Sequence, residues 1–245
     1  MSVVEQNIGE QTICRLVEEG IRSQVDQVES LSVDIQTNPF KLTQGQVDHV
    51  LIAGRGCVMQ NDLRTEALTL ETGVVDIAML KIPLGKIELD CPTSATAQVI
   101  LKPKDIQRAF NGAYVKQKLR GQKIELSGER VTTDPSNVEF SVPESGRIAI
   151  AADVMLIERV NSHHVAFSAR PELANDGYSV VLKDVEYDEA ENDLPELTQA
   201  LIDNTQSLLD LRFFELEGMS LQFVQMLVEP KKITIRANAE VTSFN

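Results

Sequence analysis

Tryptophan is missing altogether, and aromatic residues supply only 4% of the 245-residue chain. The core therefore has to be built from Val, Ile, Leu and Ala, side chains that suit pleated sheet surfaces. Cysteine is scarce as well. Cys14, Cys57 and Cys91 form an odd, widely spaced set, which argues against a secreted disulfide framework and leaves no pair at zinc-ligand spacing. They read as reduced thiols packed as small apolar residues. Positive charge is in deficit: 23 Lys and Arg face 37 Asp and Glu, a net charge of −14. Phosphate backbones would be repelled, so nucleic acid is not an expected partner. A strongly anionic membrane surface is disfavoured for the same reason. No apolar run approaches the ~20 residues of a membrane span. Met1 to Glu10 contains no cationic region followed by an apolar stretch, so no signal peptide is read. The expected location is cytoplasmic, at most peripheral to a membrane.

Catalytic spacing signatures are lacking too. Gly54-Arg55-Gly56 begins like a dinucleotide loop, but the third glycine does not follow. There is no P-loop and no Gly-x-Ser-x-Gly elbow. His163 and His164 are adjacent, so in a strand they would point to opposite faces and could not easily chelate one metal. No cofactor, metal or catalytic residue is expected, and the chain is read as a non-enzyme.

What the chain does have is regular periodicity. Ile13, Leu16, Val17, Ile21 and Val25 recur at three- and four-residue spacing, the stripe of an amphipathic helix. From Leu31 the period changes to two, through Val33 and Ile35. Asn38-Pro39 breaks that strand, and Phe40 and Leu42 follow in an expected loop closed by Gly45. Strand-like runs then cover 47–58, 63–79 and 86–90, and the alternation continues over 95–101 after Pro92, which argues for an antiparallel meander. A short helix is expected from Pro103, with Ile106, Ala109 and Phe110 as its stripe and Gly112 as its terminator. Strands resume at 124–126, 138–142 and 147–159. The last of these is apolar on both faces at its start, so it is expected to be covered on both sides. A strand pair at 164–169 and 178–187 leads to a second helix over 195–210, striped by Leu194, Leu197, Leu201 and Leu208. Two strands, 220–229 and 231–243, close the chain. No Gly/Ser-rich linker divides it, so residues 1–245 are expected to form one domain.

Three stretches carry a resemblance. One is Leu31 to Val50, with Asn38-Pro39-Phe40-Lys41-Leu42 ending at Gly45. The next is Leu63-Arg64-Thr65-Glu66-Ala67-Leu68-Thr69-Leu70, and the third is Ala95 to Phe110, through Asp105-Ile106. Together, with Phe214 to Leu221, they resemble the phospholipid-binding family typified by the mycobacterial lipomannan elongation factor, long labelled a domain of unknown function. The resemblance implies an α+β, tubular lipid-binding-like fold: a long, curved antiparallel β-sheet wrapped around one or two long α-helices. It also implies that a phospholipid or glycolipid binds in an apolar groove between sheet and helices, carried or sensed rather than transformed.

On that reading an aliphatic groove with a few polar groups at its mouth suffices. Ile106, Phe110, Leu201 and Leu208 are the candidate lining. Phe40 and Leu42 are candidates for a loop in transient contact with a membrane. Lys116, Lys118 and Arg120, in a basic cluster near the short helix, are candidates for headgroup contact. Two other readings stay open. One is an interaction module whose groove is filled by a partner or by a homodimer mate. The other is an enzyme acting on a lipid-like substrate.

Overall fold

The structure, a computed structural model, describes residues 8–59, 62–84, 87–187, 194–206, 209 and 211–244. It opens with α1 (Ile8–Gln24). Ile13, Val17 and Ile21 recur every four residues, so they share a face, and all three are buried. They share a core with Leu31, Val33 and Ile35, the inward-pointing residues of β1 (Ser30–Gln36).

A short helix, α2 (Pro39–Thr43), stands where a loop was expected. Asn38 caps it, its side chain accepting from the Lys41 N–H at 2.9 Å, and Pro39 occupies a first-turn position, where a missing N–H costs nothing. Two residues apart on a helical turn face nearly opposite ways. Phe40 is accordingly 73% exposed, while Leu42 is 5% exposed and packs in the core. The expectation that both would touch a membrane is thus corrected for Leu42. Gly45 then turns the chain back at φ +81°, where an added Cβ would lie 2.6 Å from the Ile77 carbonyl oxygen.

The chain continues through β2 (Gln46–Val47), β3 (His49–Val58), β4 (Arg64–Thr72) and β5 (Val75–Asp76). A 3₁₀ turn (Met79–Leu84) leads into β6 (Glu88–Leu101). Two helices follow, α3 (Pro103–Phe110) and α4 (Ala113–Leu119). Five strands come next: β7 (Gln122–Leu126), β8 (Glu129–Glu144), β9 (Arg147–Leu156), β10 (Asn161–Leu173) and β11 (Val180–Glu186). After α5 (Pro195–Gln206) and a 3₁₀ turn (Leu211–Phe214), β12 (Met219–Glu229) and β13 (Lys232–Ser243) complete the structure.

The strands form two large antiparallel sheets. The first has the order β1-β3-β4-β6-β13-β12, the second β11-β10-β9-β8-β7, and β2 pairs with β5 alone. The fold is an α+β arrangement of mostly antiparallel strands with a sheet curled into a half-barrel. β6 continues past Pro92, with an irregularity in its pairing to β13 between Glu88 and Thr93. Its pairing with β4 ends at Ala95, so no β4 partner stands opposite the missing N–H.

The two sheets meet at β12, an edge strand. Turns of the second sheet dock on it: Gly146 N–H donates to the Val228 carbonyl at 3.0 Å, and Phe223 N–H donates to the Gly177 carbonyl at 2.8 Å. One apolar core joins the sheets, running from Val17 of α1 and Ile52 of β3 to Ile148 of β9 and Phe167 of β10. A separate small core lies at the far end of the second sheet. There Leu197 and Leu201 of α5 cover Ile124, Val131, Val154 and Leu156. Among the described residues, no helix is long and apolar enough to cross a membrane.

Candidate functional site

The helix pair after β6 is held by charge at one end and by amides at the other. Arg64, at the start of β4, reaches Asp105 at 3.2 Å, Glu66 at 3.0 Å and Glu29 at 2.7 Å. Asp105 sits in the first turn of α3 and is buried. It suits that helix end electrostatically, and Arg64 supplies the cation that a buried carboxylate requires. Lys102 adds a contact to Glu66 at 2.6 Å. Lys102 and then Arg64 hold the Glu66 carboxyl below its ordinary range. The Leu63-Arg64 and Asp105-Ile106 motifs are therefore two halves of one clamp between strand and helix.

At its other end α3 closes a sheet edge. Beyond Thr133 the outer side of β8 has no β7 partner. Asn111 fills the gap: its side-chain amide donates to the Val138 carbonyl at 2.6 Å and accepts from the Val138 N–H at 3.1 Å. Gln107 accepts from the Phe140 N–H at 3.3 Å. These amides substitute for a neighbouring strand, so the backbone groups are satisfied without covering the space beneath.

That space is a cavity of about 480 Å³. One wall is the first sheet, through Leu101, Met226, Ile233 and Ile235. The opposing wall is the second sheet, through Phe140, Ile148, Ile150, Pro171, Val180 and Leu182. Ile106, Ala109 and Phe110 of α3 roof it, with Tyr114, Val115 and Lys118 of α4. Phe110 stacks near Phe140, their ring centroids 6.2 Å apart. The last side is Leu209, Leu211, Arg212 and Phe214. This segment adds itself to the edge of β11, with Val180 N–H donating to Leu209 at 3.0 Å and Leu211 N–H donating to Tyr178 at 2.7 Å. Lys118, Gln122, Arg212 and the Tyr114 hydroxyl are the polar side-chain groups of the lining, and no carboxylate is among the described lining residues. Few polar groups around an apolar hollow is the arrangement of a small-molecule site.

The sequence candidates divide around this cavity. Ile106 and Phe110 line it. Leu201 does not: α5 lies over the far end of the second sheet, so its stripe fills the small core. Leu208 lies outside the described residues. Of the basic cluster, Lys118 reaches the lining and sits 5.7 Å from the Tyr114 ring centroid. Arg120 pairs with Asp134 at 3.2 Å, and Lys116 is exposed outside the lining. Phe40 is exposed at the opposite end of the first sheet, as are Met79, which lies near Gly45, and Leu80. Sequence reasoning missed α4 and Arg212. Val115 and Leu119, four residues apart, were the signal for the helix; a lone arginine carries none.

Burial, with Glu18 next in weight, pushes the Cys14 thiol up to about 11, and burial also raises Cys57. Neither is an activated nucleophile. Among the described residues, no cluster of three or more His, Cys, Asp or Glu is placed to hold a metal ion.

Residues 4–238 match the profile of a family described as LmeA-like phospholipid-binding. The chain belongs to that family. No curated protein and no solved structure matches it. Membership of the LmeA-like family gives the cavity its context, since the clamp residues Arg64 and Asp105 and the roof residues Ile106 and Phe110 all fall within the matched span. Ala149 and Ala151 alternate with Ile148 and Ile150 along β9. With Ala166, Ser141 and Ser168 they line a second, more polar depression of about 540 Å³ whose lining includes Glu139 and Glu186.

Proposed function

We propose that this LmeA-like protein binds a phospholipid or glycolipid through its acyl moiety in the cavity between the two sheets, as a non-catalytic carrier or sensor. The observation that carries this is an apolar hollow of about 480 Å³ roofed by α3 and α4, in a chain of a phospholipid-binding family. Each methylene withdrawn from water contributes ~0.8 kcal/mol. An aliphatic lining is therefore enough to hold a lipid. Neither the clamp at Arg64 nor the amide bridge at Asn111 occupies the hollow; both hold its roof.

Membrane contact belongs to the opposite end. Phe40, Val74, Met79 and Leu80 project there, Leu80 at 91% exposure. The length of β6 separates that tip from Leu101 in the cavity wall, 13 residues at ~3.3 Å each, or roughly 40 Å. Isolated, exposed apolar side chains suit insertion between lipids better than a flat protein interface. Replacing Phe40 and Leu80 together by Ser is expected to weaken sedimentation with neutral phosphatidylcholine vesicles while the fold is retained.

The test of the binding function is native mass spectrometry of the purified protein followed by organic extraction. One phospholipid or glycolipid per chain supports the reading and names the ligand. An empty protein that also ignores added vesicles contradicts it, and gives the hollow to a protein partner or a second copy. A tight dimer in sedimentation would then be the expected companion result.

A further inference from the structure

We propose that the turn between β9 and β10 is a second point of contact with a lipid surface, separate from the Phe40–Leu80 end. This goes beyond the cavity and does not depend on what fills it.

The turn is built the wrong way round for water. Turns ordinarily present polar side chains to solvent. Here residues 157–160 read Ile-Glu-Arg-Val. Both charged side chains fold back onto β8. The Glu158 carboxylate accepts from the Thr132 N–H and from the Thr132 hydroxyl, each at 2.6 Å. The Arg159 guanidinium donates to Glu129 at 2.9 Å. The Ile157 N–H donates to the Thr132 carbonyl at 2.9 Å, which ties the turn to the same strand. What is left outermost is apolar. Val160 is 84% exposed, Met155 48% and Ile157 45%. Met155 lies on the outer side of β9, opposite the fully buried Leu156.

Val160 also carries backbone strain. Its φ is +51°, a region that a β-branched residue rarely enters. The other described non-glycine residues with positive φ are Asp62, Ser127, Asn137 and Asp184, all small and polar. An Asn at this position would suit both the backbone and the solvent. Valine suits neither, which points to a surface outside the chain.

The occupant follows from area and charge. A fully exposed Val, Ile or Met side chain offers on the order of 100 Å². Three partly exposed ones fall well short of the roughly 800 Å² that each partner contributes to a stable protein complex. A lipid surface needs no such matching area, because it encloses each inserted side chain. The net charge of −14 favours a neutral surface over an anionic one. The position is suitable as well. The Gly146 turn before β9 docks on Val228 of β12, so the 10 residues of β9, at ~3.3 Å each, hold the apolar turn roughly 30 Å from that junction.

The chain has no Trp, so a single introduced indole reports alone. Ile157→Trp is titrated with neutral phosphatidylcholine vesicles, with and without bromine on the acyl chains. Ser32→Trp, on the exposed side of β1, is the control. Emission from Ile157→Trp should move to shorter wavelength and be quenched by the brominated chains, and emission from Ser32→Trp should do neither. Co-sedimentation with the same vesicles gives the affinity. Ile157→Ser with Val160→Asn should bind about tenfold more weakly than the parent. Val160→Asn alone should unfold at a higher temperature than the parent, which separates lost contact from lost folding. An indole at position 157 that stays in water, with unchanged sedimentation of the double variant, overturns the proposal and leaves the cavity reading standing. A parent protein that ignores the vesicles overturns both lipid-surface contacts. Self-association of the parent that the double variant loses would give the patch to a second copy and also overturn the proposal.

Discussion

The two ends of the second sheet use the same strands and reach opposite results. At one end β7, β8 and β9 pack solidly: Val154 and Leu156 are fully buried beneath Leu197 of α5, which is fully buried too. At the other end Ile148 and Ile150 of the same β9 face a hollow. The strand chemistry is alike, aliphatic and alternating, so the side chains of the sheet do not make the difference. The cover does. α5 lays two leucines directly on the sheet. At the cavity end the cover is split between the α3–α4 pair and the 209–214 segment, each anchored to a different edge. A core fills when one helix spans it and opens when two supports straddle it.

Substitutions can break that contrast. Leu156→Ala at the solid end removes contacts on every side, so it should cost about 4 kcal/mol in urea unfolding. Arg64→Met strips the buried Asp105 of its cation and should cost ~3 kcal/mol, the lower part of the range for an uncompensated buried charge, because Glu29 and much of Glu66 face water. It should also weaken lipid binding, because it frees the start of the roof helix. Ile150→Ala loses a side chain that already borders empty space, so about 2 kcal/mol is expected, clearly less than Leu156→Ala. If the two alanine variants cost the same, the distinction between solid and hollow ends is wrong.

The smallest effect is one of pH. Glu66 is held below its ordinary value of 4.5 by Lys102 and Arg64. A depressed carboxylate stabilises the fold above that ordinary value, and its contribution is lost as pH falls through the lowered one. Glu66→Gln should therefore be less stable than the parent at about pH 6, and the gap should narrow as the pH falls below the ordinary carboxylate range. A gap that persists in acid would mean that Glu66 contributes shape rather than charge.

Much of the fold is legible from periodicity. The α1 stripe, the alternation of β1 and the β12–β13 hairpin all follow from the spacing of Val, Ile, Leu and Ala. What periodicity cannot give is partnership. Nothing local in the sequence says that the strands sort into two sheets meeting at β12, because that junction is made by turn backbone at Gly146 and Gly177. For the same reason Ile106 and Phe110 could be placed near the cavity, since α3 faces it directly, while Leu201 could not. Its stripe is equally apolar, but α5 lies over the other end of the sheet. Phe40 and Leu42 teach the same lesson at short range. A single helical turn, set by Asn38 and Pro39, sends them to opposite sides. Arg212 had no signal at all, being one arginine in a short 3₁₀ turn that only the folded chain brings to the same cavity as Lys118.

The central claim is that lipid occupies the hollow beneath α3. The most direct measurement compares the parent protein with Ala109→Trp, which drives an indole into the hollow from the roof helix. Both are purified identically and examined by native mass spectrometry, with circular dichroism as the check on folding. The account predicts one lipid per chain in the parent and little or none in a folded Ala109→Trp variant. A folded variant that keeps its full complement of lipid would contradict it, and would move the binding site elsewhere on the molecule.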